Sequence, residues 1–190
     1  MNLKGTKTEE NLMSAFSSES KNNNRYAYYA MIAKQEGYIK IAKTFEEISN
    51  QEKEHAKRMF TLLGGSTVFS NEGAIMSVFG STEANLRAAI ECERQENEDF
   101  YKNFSKEAKK ENFFKIAKIF DSIAKAESEH GKIFYDLLKD LQNKELFKKS
   151  TPIEWKCLNC GYKSEELSDA PFICPSCDAS QAYFDYLIKT

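Results

Sequence analysis

The chain has two histidines, and each lies three positions after a glutamate: Glu52-x-x-His55 and Glu127-x-x-His130. On a helix, residues three apart project side chains toward one spot. A carboxylate beside an imidazole suits iron or manganese, and the lack of sulfur there argues against copper(I). Two such motifs facing two further glutamate-bearing helices form the ligand set of carboxylate-bridged di-iron bundles. The other helical stretches offer Glu19, Glu93 and Glu96. A second donor set is built from thiols. Four of the five cysteines fall as Cys157-x-x-Cys160 and Cys174-x-x-Cys177, a spacing that suits tetrahedral metal better than a disulfide framework. Gly161 supplies permissive backbone after the first knuckle, and Pro175 stiffens the second. Four thiolates accept iron or zinc alike, so this motif by itself leaves the metal open. The fifth cysteine, Cys92, reads as a small buried hydrophobe on a helix, without a function.

These residues need elements to position them. Apolar residues recur at helical spacing from Thr8 to Glu36, and Gly37 is a natural stop. A second helix is predicted from about Tyr38 to Leu63, ending at Gly64-Gly65. An irregular connection, Ser66 to Gly80, follows. Ser81-Thr82 caps a third helix running to about Lys110, and Asn112 turns the chain into a fourth that fades near Asn143. The fold class read from this pattern is an all-α four-helix bundle, residues 1–146. A polar link, Lys144 to Ser150, leads to a small metal-knuckle domain, residues 151–190. A unit of that size rarely buries enough to fold unaided, and ligation would supply the missing free energy.

The two helix pairs repeat each other. Glu10 to Glu19 aligns with Ala84 to Glu93 at an offset of 74, whereas Tyr38 to Phe45 aligns with Phe113 to Phe120 at 75. Tyr26 and Tyr101 already obey the later offset, so one residue is inserted between Arg94 and Phe100. A π-bulge in the third helix would absorb it, and such bulges favour functional sites.

Ligands on antiparallel helices must lie at one level. Counted from the turn at Gly37, Glu19 lies 18 residues before and Glu52 lies 15 after. Counted from Asn112, Glu93 and Glu96 lie 19 and 16 before, and Glu127 lies 15 after. The levels agree to about one helical turn of roughly 5.4 Å. Most glutamates on helices this rich in Glu and Lys simply solvate an outer face, and Glu54 and Glu129 are assigned there. The duplicated motif at matched depth sets the other glutamates apart. Buried unpaired, each would cost about several kcal/mol, against a domain stability of about 5 to 15 kcal/mol. A cation, or protonation, is needed to keep them inside.

Composition narrows the partners. The 27 basic and 29 acidic residues are interspersed, with no basic block to follow a phosphate backbone, so nucleic acid is a poor partner. No apolar run has the length of a membrane span or signal-peptide core, and a reducing, cytoplasmic setting is expected.

Glu19, Glu52-x-x-His55, Glu93-x-x-Glu96 and Glu127-x-x-His130, followed by Cys-x-x-Cys-Gly-Tyr and Cys-Pro-x-Cys, resemble the rubrerythrin family along essentially the whole chain. The resemblance implies a ferritin-like di-iron bundle with a C-terminal rubredoxin-like domain. It also implies that an iron moves between Glu96 and His55 on redox change. The loop between the knuckles is shorter than in free-standing rubredoxins, and Asp178 replaces a glycine common after the last cysteine. Tyr26 and Tyr101, on the same faces as Glu19 and Glu93, could donate hydrogen bonds to ligating carboxylates or simply pack as aromatics.

By resemblance the activity is reduction of hydrogen peroxide to water at the non-haem di-iron site, a protection against oxidative stress. Electrons would pass from a reduced pyridine nucleotide, through a separate reductase or free rubredoxin, to the iron held by the cysteines. Sixteen residues separate Glu127 from Asn143, about 24 Å of helix axis and a long path for tunnelling within one chain. A head-to-tail homodimer follows, with each cysteine domain near its partner's bundle. Two other classes use the same residues: ferritin-like iron oxidation and storage, and a non-catalytic bundle carrying a zinc ribbon.

Overall fold

The computed structural model describes residues 2–64 and 80–186. The expected connection from Ser66 and the second glycine of Gly64-Gly65 fall outside them. Among the described residues five α-helical segments and three strands follow in order: α1 (Lys7–Gln35), α2 (Ile39–Leu62), α3 (Thr82–Gln95), α4 (Lys102–Lys110), α5 (Phe114–Gln142), β1 (Lys148–Cys157), β2 (Lys163–Asp169) and β3 (Phe184–Tyr186). Between α3 and α4 the helix does not break. Glu96–Tyr101 continues it as a π-helix, which absorbs the inserted residue where the repeat offset changes.

Local chemistry sets the ends. Thr6 caps α1 by accepting from the Glu9 N–H, and Ser81 caps α3 by accepting from the Ala84 N–H. At the far end of α1 the Tyr38 N–H donates to the Ala33 carbonyl and the Gly37 N–H to that of Lys34, with Gly37 at φ 84°. This left-handed stop is repeated after α4, where Asn112 sits at φ 64°. It occurs again after α5, where Lys144 at φ 59° takes the place usually given to glycine or asparagine.

α1 packs along α2, and α3, the π-turn and α4 pack along α5. Two apolar clusters fill the bundle. One gathers Tyr26, Tyr29, Phe45, Leu86, Phe134 and Leu137. The other gathers Leu12, Ala15, Met59, Tyr101, Ala117 and Phe120. Each helix pair contributes to both. Between them lies a band in which α1, α2, α3 with the π-turn, and α5 turn polar side chains inward: Glu19 and Asn22, Glu52 and His55, Glu93 and Glu96, Glu127 and His130. Fully burying one large apolar side chain stabilises by about 1.5 to 3 kcal/mol. The clusters on either side thus hold a costly polar layer in place.

The polar link differs from expectation. Leu146 is buried against the first cluster, Phe147 packs beside it, and β1 already begins at Lys148. Two apolar residues amid lysines were enough to anchor the connection. The cysteine unit is a three-stranded sheet among the described residues, ordered β2-β1-β3, with both neighbours antiparallel to β1. Trp155, Cys157, Ala170, Cys174 and Phe184 form its core, and the Trp155 indole N–H donates to the Leu167 carbonyl at 3.0 Å. The unit rests on the bundle's end through Lys40 and Asp185 at 2.7 Å, Tyr186 Oη donating to Asp140 at 2.9 Å, and Lys43 Nζ donating to the Leu158 carbonyl at 2.9 Å.

Candidate metal centres

The polar band gathers six of the seven expected residues into two overlapping groups: Glu19, Glu52, His55 and Glu127, and Glu52, Glu93, Glu127 and His130. Within each, donor atoms lie within 4.8 Å of one another. Glu52 and Glu127 belong to both, and each divides its oxygens between them. His55 Nδ1 lies 3.6 Å from Glu52 Oε2 and 3.1 Å from Glu127 Oε1. His130 Nδ1 lies 3.0 Å from Glu52 Oε1 and 2.8 Å from Glu127 Oε2. Each of these two carboxylates could thus offer one oxygen to each of two adjacent cations.

The outer carboxylates are each half engaged. Tyr101 Oη donates to Glu19 Oε1, and Tyr26 Oη donates to Glu93 Oε1. The bonds cross the repeat, each tyrosine serving a glutamate of the other half. The remaining atoms, Glu19 Oε2, Glu93 Oε2, both oxygens of Glu52 and Glu127, and Nδ1 of both histidines, are buried without a hydrogen bond of acceptable geometry. Buried polar atoms are rarely left so. All of them converge on the two groups, so this donor set fits a pair of cations. Gln51 Oε1 accepts from His130 Nε2 at 2.8 Å, orienting the ring so that Nδ1 faces the group. That partner carried no signal of its own in the sequence.

Electrostatics show the same demand for positive charge. Burial raises Glu19 well above the carboxylate range and Glu93 to about 8. Burial also works to raise Glu52, but the neighbouring Glu19 carboxyl and the two close imidazoles hold it down at about 2. For the imidazoles burial is opposed by the surrounding carboxylates, Glu127 foremost. These raise His130 to about 12 and His55 well above its ordinary value. Protons thus supply charge that bound cations would otherwise provide, and metal binding would release them.

Glu96, the seventh residue, lies in the band but in neither group. Its carboxylate accepts from Ser18 and Asn22 instead. Glu54 and Glu129 are exposed, as expected. Cys92 departs from the hydrophobic reading: its thiol is half-buried, 3.1 Å from the Arg25 guanidinium and 3.4 Å from Asn22 Oδ1. A cavity of about 500 Å³ opens on His55, lined also by Arg58, Lys115, Lys118 and Ile119.

The four expected cysteines converge in the sheet unit. Cys157 and Cys177 Sγ are 3.8 Å apart, and Cys160 and Cys174 Sγ are 3.6 Å apart. A tetrahedron with metal–sulfur bonds of about 2.3 Å has edges of roughly 3.8 Å, whereas a disulfide needs about 2.05 Å. The knuckles match: Gly161 N–H donates to the Cys157 carbonyl, and Asp178 N–H to that of Cys174. Gly161 at φ 81° and Asp178 at φ 58° occupy equivalent left-handed positions. Asp178 therefore keeps the turn that glycine would make.

Comparison with known proteins agrees with this architecture. The rubrerythrin family model matches residues 10–138 and 84–156, and the model of the rubrerythrin rubredoxin-like domain matches 155–185. The chain is 42% identical to a rubrerythrin of Porphyromonas gingivalis, over 96% of this chain and 91% of that protein. Rubrerythrin-1 of Clostridium acetobutylicum is also 42% identical, over 97% and 96%. Among solved structures, fully reduced nigerythrin superposes with a TM-score of 0.66 at 23% identity, covering 97% of this chain and 91% of that one, which speaks for the fold. With a ferritin-like bundle, a carboxylate and histidine cluster and a four-cysteine knuckle unit in one chain, the protein belongs to the rubrerythrin family of di-iron oxidoreductases.

Proposed function

We propose that the protein is a peroxidase that reduces hydrogen peroxide to water at a non-haem di-iron site. Glu19, Glu52, His55, Glu93, Glu127 and His130 would hold the irons, and Glu96 would exchange with His55 as the redox state changes. Cys157, Cys160, Cys174 and Cys177 would hold a single iron that relays electrons one at a time. The observation that carries this reading is the pair of shared carboxylates, Glu52 and Glu127, each with both oxygens directed into adjacent groups. A pair of irons held by these residues would supply two electrons, which with two protons would convert one peroxide into two waters.

The protein's own residues do the rest. Tyr26 and Tyr101 fix the outer carboxylates, and Gln51 fixes His130. The cavity at His55 admits a small polar molecule, while the apolar clusters above and below the band exclude bulk water. Phe172 and Ile173, 80% and 62% exposed, stand beside Cys174 and suit docking against another protein surface.

The chain would divide into a bundle, residues 1–146, and a rubredoxin-like domain, residues 151–190. Electrons would arrive through a separate NAD(P)H-linked reductase or free rubredoxin, and a head-to-tail homodimer would bring each cysteine iron near its partner's bundle. A cytoplasmic location fits free thiols, and no helix among the described residues is long and apolar enough to cross a membrane.

Stopped-flow mixing of the fully reduced protein decides the matter. Peroxide should oxidise the centres much faster than dioxygen does. Equal rates, or iron accumulating well beyond the bound centres, would favour ferritin-like storage, and a colourless zinc-loaded protein would end the redox reading.

A further inference from the structure

Glu96 is buried at the level of the two metal groups, yet both of its oxygens are engaged elsewhere. Ser18 Oγ donates to Oε1 at 2.6 Å, and Asn22 Nδ2 donates to Oε2 at 2.9 Å. Asn22 is itself held. The Arg25 guanidinium donates to its Oδ1 at 3.1 Å, and the Cys92 thiol approaches the same oxygen at 3.4 Å. Arg25 also reaches the Cys92 sulfur at 3.1 Å, closing the network.

The internal repeat shows where this cradle comes from. Carried forward from Glu19 and Glu93, the offset of 74 pairs Ser18 with Cys92 and Asn22 with Glu96. Where one half of the bundle has a carboxylate, the other has an amide, and the amide donates to the carboxylate. Glu96 also opens the π-turn, and a cavity of about 540 Å³ borders it, lined by Ser18, Cys92, Phe100 and Phe104 among others. The carboxylate therefore has room to rotate, but reaching a metal requires surrender of both hydrogen bonds.

We infer that Ser18 and Asn22, braced by Arg25 and Cys92, are positioning residues that compete with the metal for Glu96 and so set the balance between its Glu96-ligated and His55-ligated states. This rests on the exchange proposed above. In this structure His55 belongs to a metal group while Glu96 is docked, so docking stabilises the state with a neutral ligand in place of an anionic one, which favours ferrous over ferric iron. Weakening the cradle should therefore lower the midpoint potential of the di-iron site. Loss of one hydrogen bond to a charged group changes such an equilibrium about tenfold, or about 59 mV for a one-electron couple. If the bonds merely satisfied a buried carboxyl, their loss would reduce stability and leave the potential where it was.

The test is a redox titration of the di-iron absorption in iron-loaded wild-type protein, Asn22→Ala, Ser18→Ala and Ser18→Thr. Iron content and helical circular dichroism serve as controls, and crystal structures of the reduced and oxidised wild type accompany it. The expected result is a lowered potential in both alanine variants and recovery in Ser18→Thr, which keeps the hydroxyl. Should Asn22→Ala fail to fold, the two Ser18 variants decide. If Glu96 moves between states in the wild type but the alanine variants keep its potential, the cradle proposal alone falls. If Glu96 stays on Asn22 in both states, the exchange falls and the cradle with it.

Discussion

The bundle centre and the cysteine centre pose opposite problems to the chain. In the bundle, four long helices are stabilised by apolar clusters on both sides of the polar band, so the protein builds the site and the site costs it stability. In the sheet unit two of the ligands, Cys157 and Cys174, are themselves fully buried core residues beside Trp155. There a bound metal would substitute for the larger core that a unit of this size cannot supply. One fold would tolerate its cations, and the other would depend on its own.

Removing metal should separate the two most sharply. Structural metal in small thiolate domains contributes about 10 to 16 kcal/mol of folding free energy. Chelation, or Cys174→Ser, should unfold the sheet unit while leaving the helices. Trp155 is the only tryptophan and is buried, so its fluorescence should move to the emission of a solvated indole as the helical circular dichroism persists. Unchanged emission would break the comparison. The same variant should abolish reductase-coupled turnover while sparing the bundle's iron.

Next in size are the shared carboxylates. Glu52→Ala or Glu127→Ala should empty both bundle positions, whereas Glu19→Ala or Glu93→Ala should weaken chiefly one, as read by metal analysis. Equal losses from all four would mean that no ligand is shared. Tyr101→Phe and Tyr26→Phe should lower metal affinity about 10- to 100-fold, the usual cost of losing a group that orients a ligand. Isothermal titration would show this, and unaltered affinity would reduce the tyrosines to packing. The smallest effect belongs to the knuckles. Asp178→Gly should stabilise the sheet unit by about 1 kcal/mol and Gly161→Ala should weaken it by about as much, because each occupies a left-handed position. Chelator concentration at half-unfolding measures both.

Much of this was readable from residue order. The Glu-x-x-His pairs announce convergence because helical period is local, and the repeat located the π-turn because a one-residue slip is visible to alignment. Gly37 and Asn112 marked the turns for the same local reason. What escaped is held across helices. The crossing of Tyr26 to Glu93 and Tyr101 to Glu19 and the docking of Glu96 on Ser18 and Asn22 depend on how α1 faces α3 and the π-turn, and the bond from His130 to Gln51 on how α5 faces α2, none of which spacing encodes. Lys144 escaped because lysine carries no left-handed preference, and the sheet because its ladder joins distant residues. Nothing in the residue order signals the polar neighbours of Cys92, Arg25 and Asn22, which are brought to it from another helix.

The π-turn has a consequence for the identity of the two metal positions. A perfect duplication would present two interchangeable sites, filled and oxidised without preference. One extra residue amounts to about 100° of helical rotation, and the turn at Glu96–Tyr101 absorbs it before Tyr101 takes up its place opposite Glu19. Both tyrosine bonds survive, while Glu96 has no carboxylate counterpart in the first half. Two irons in this protein would be told apart by a single insertion, which gives a near-symmetric scaffold a direction.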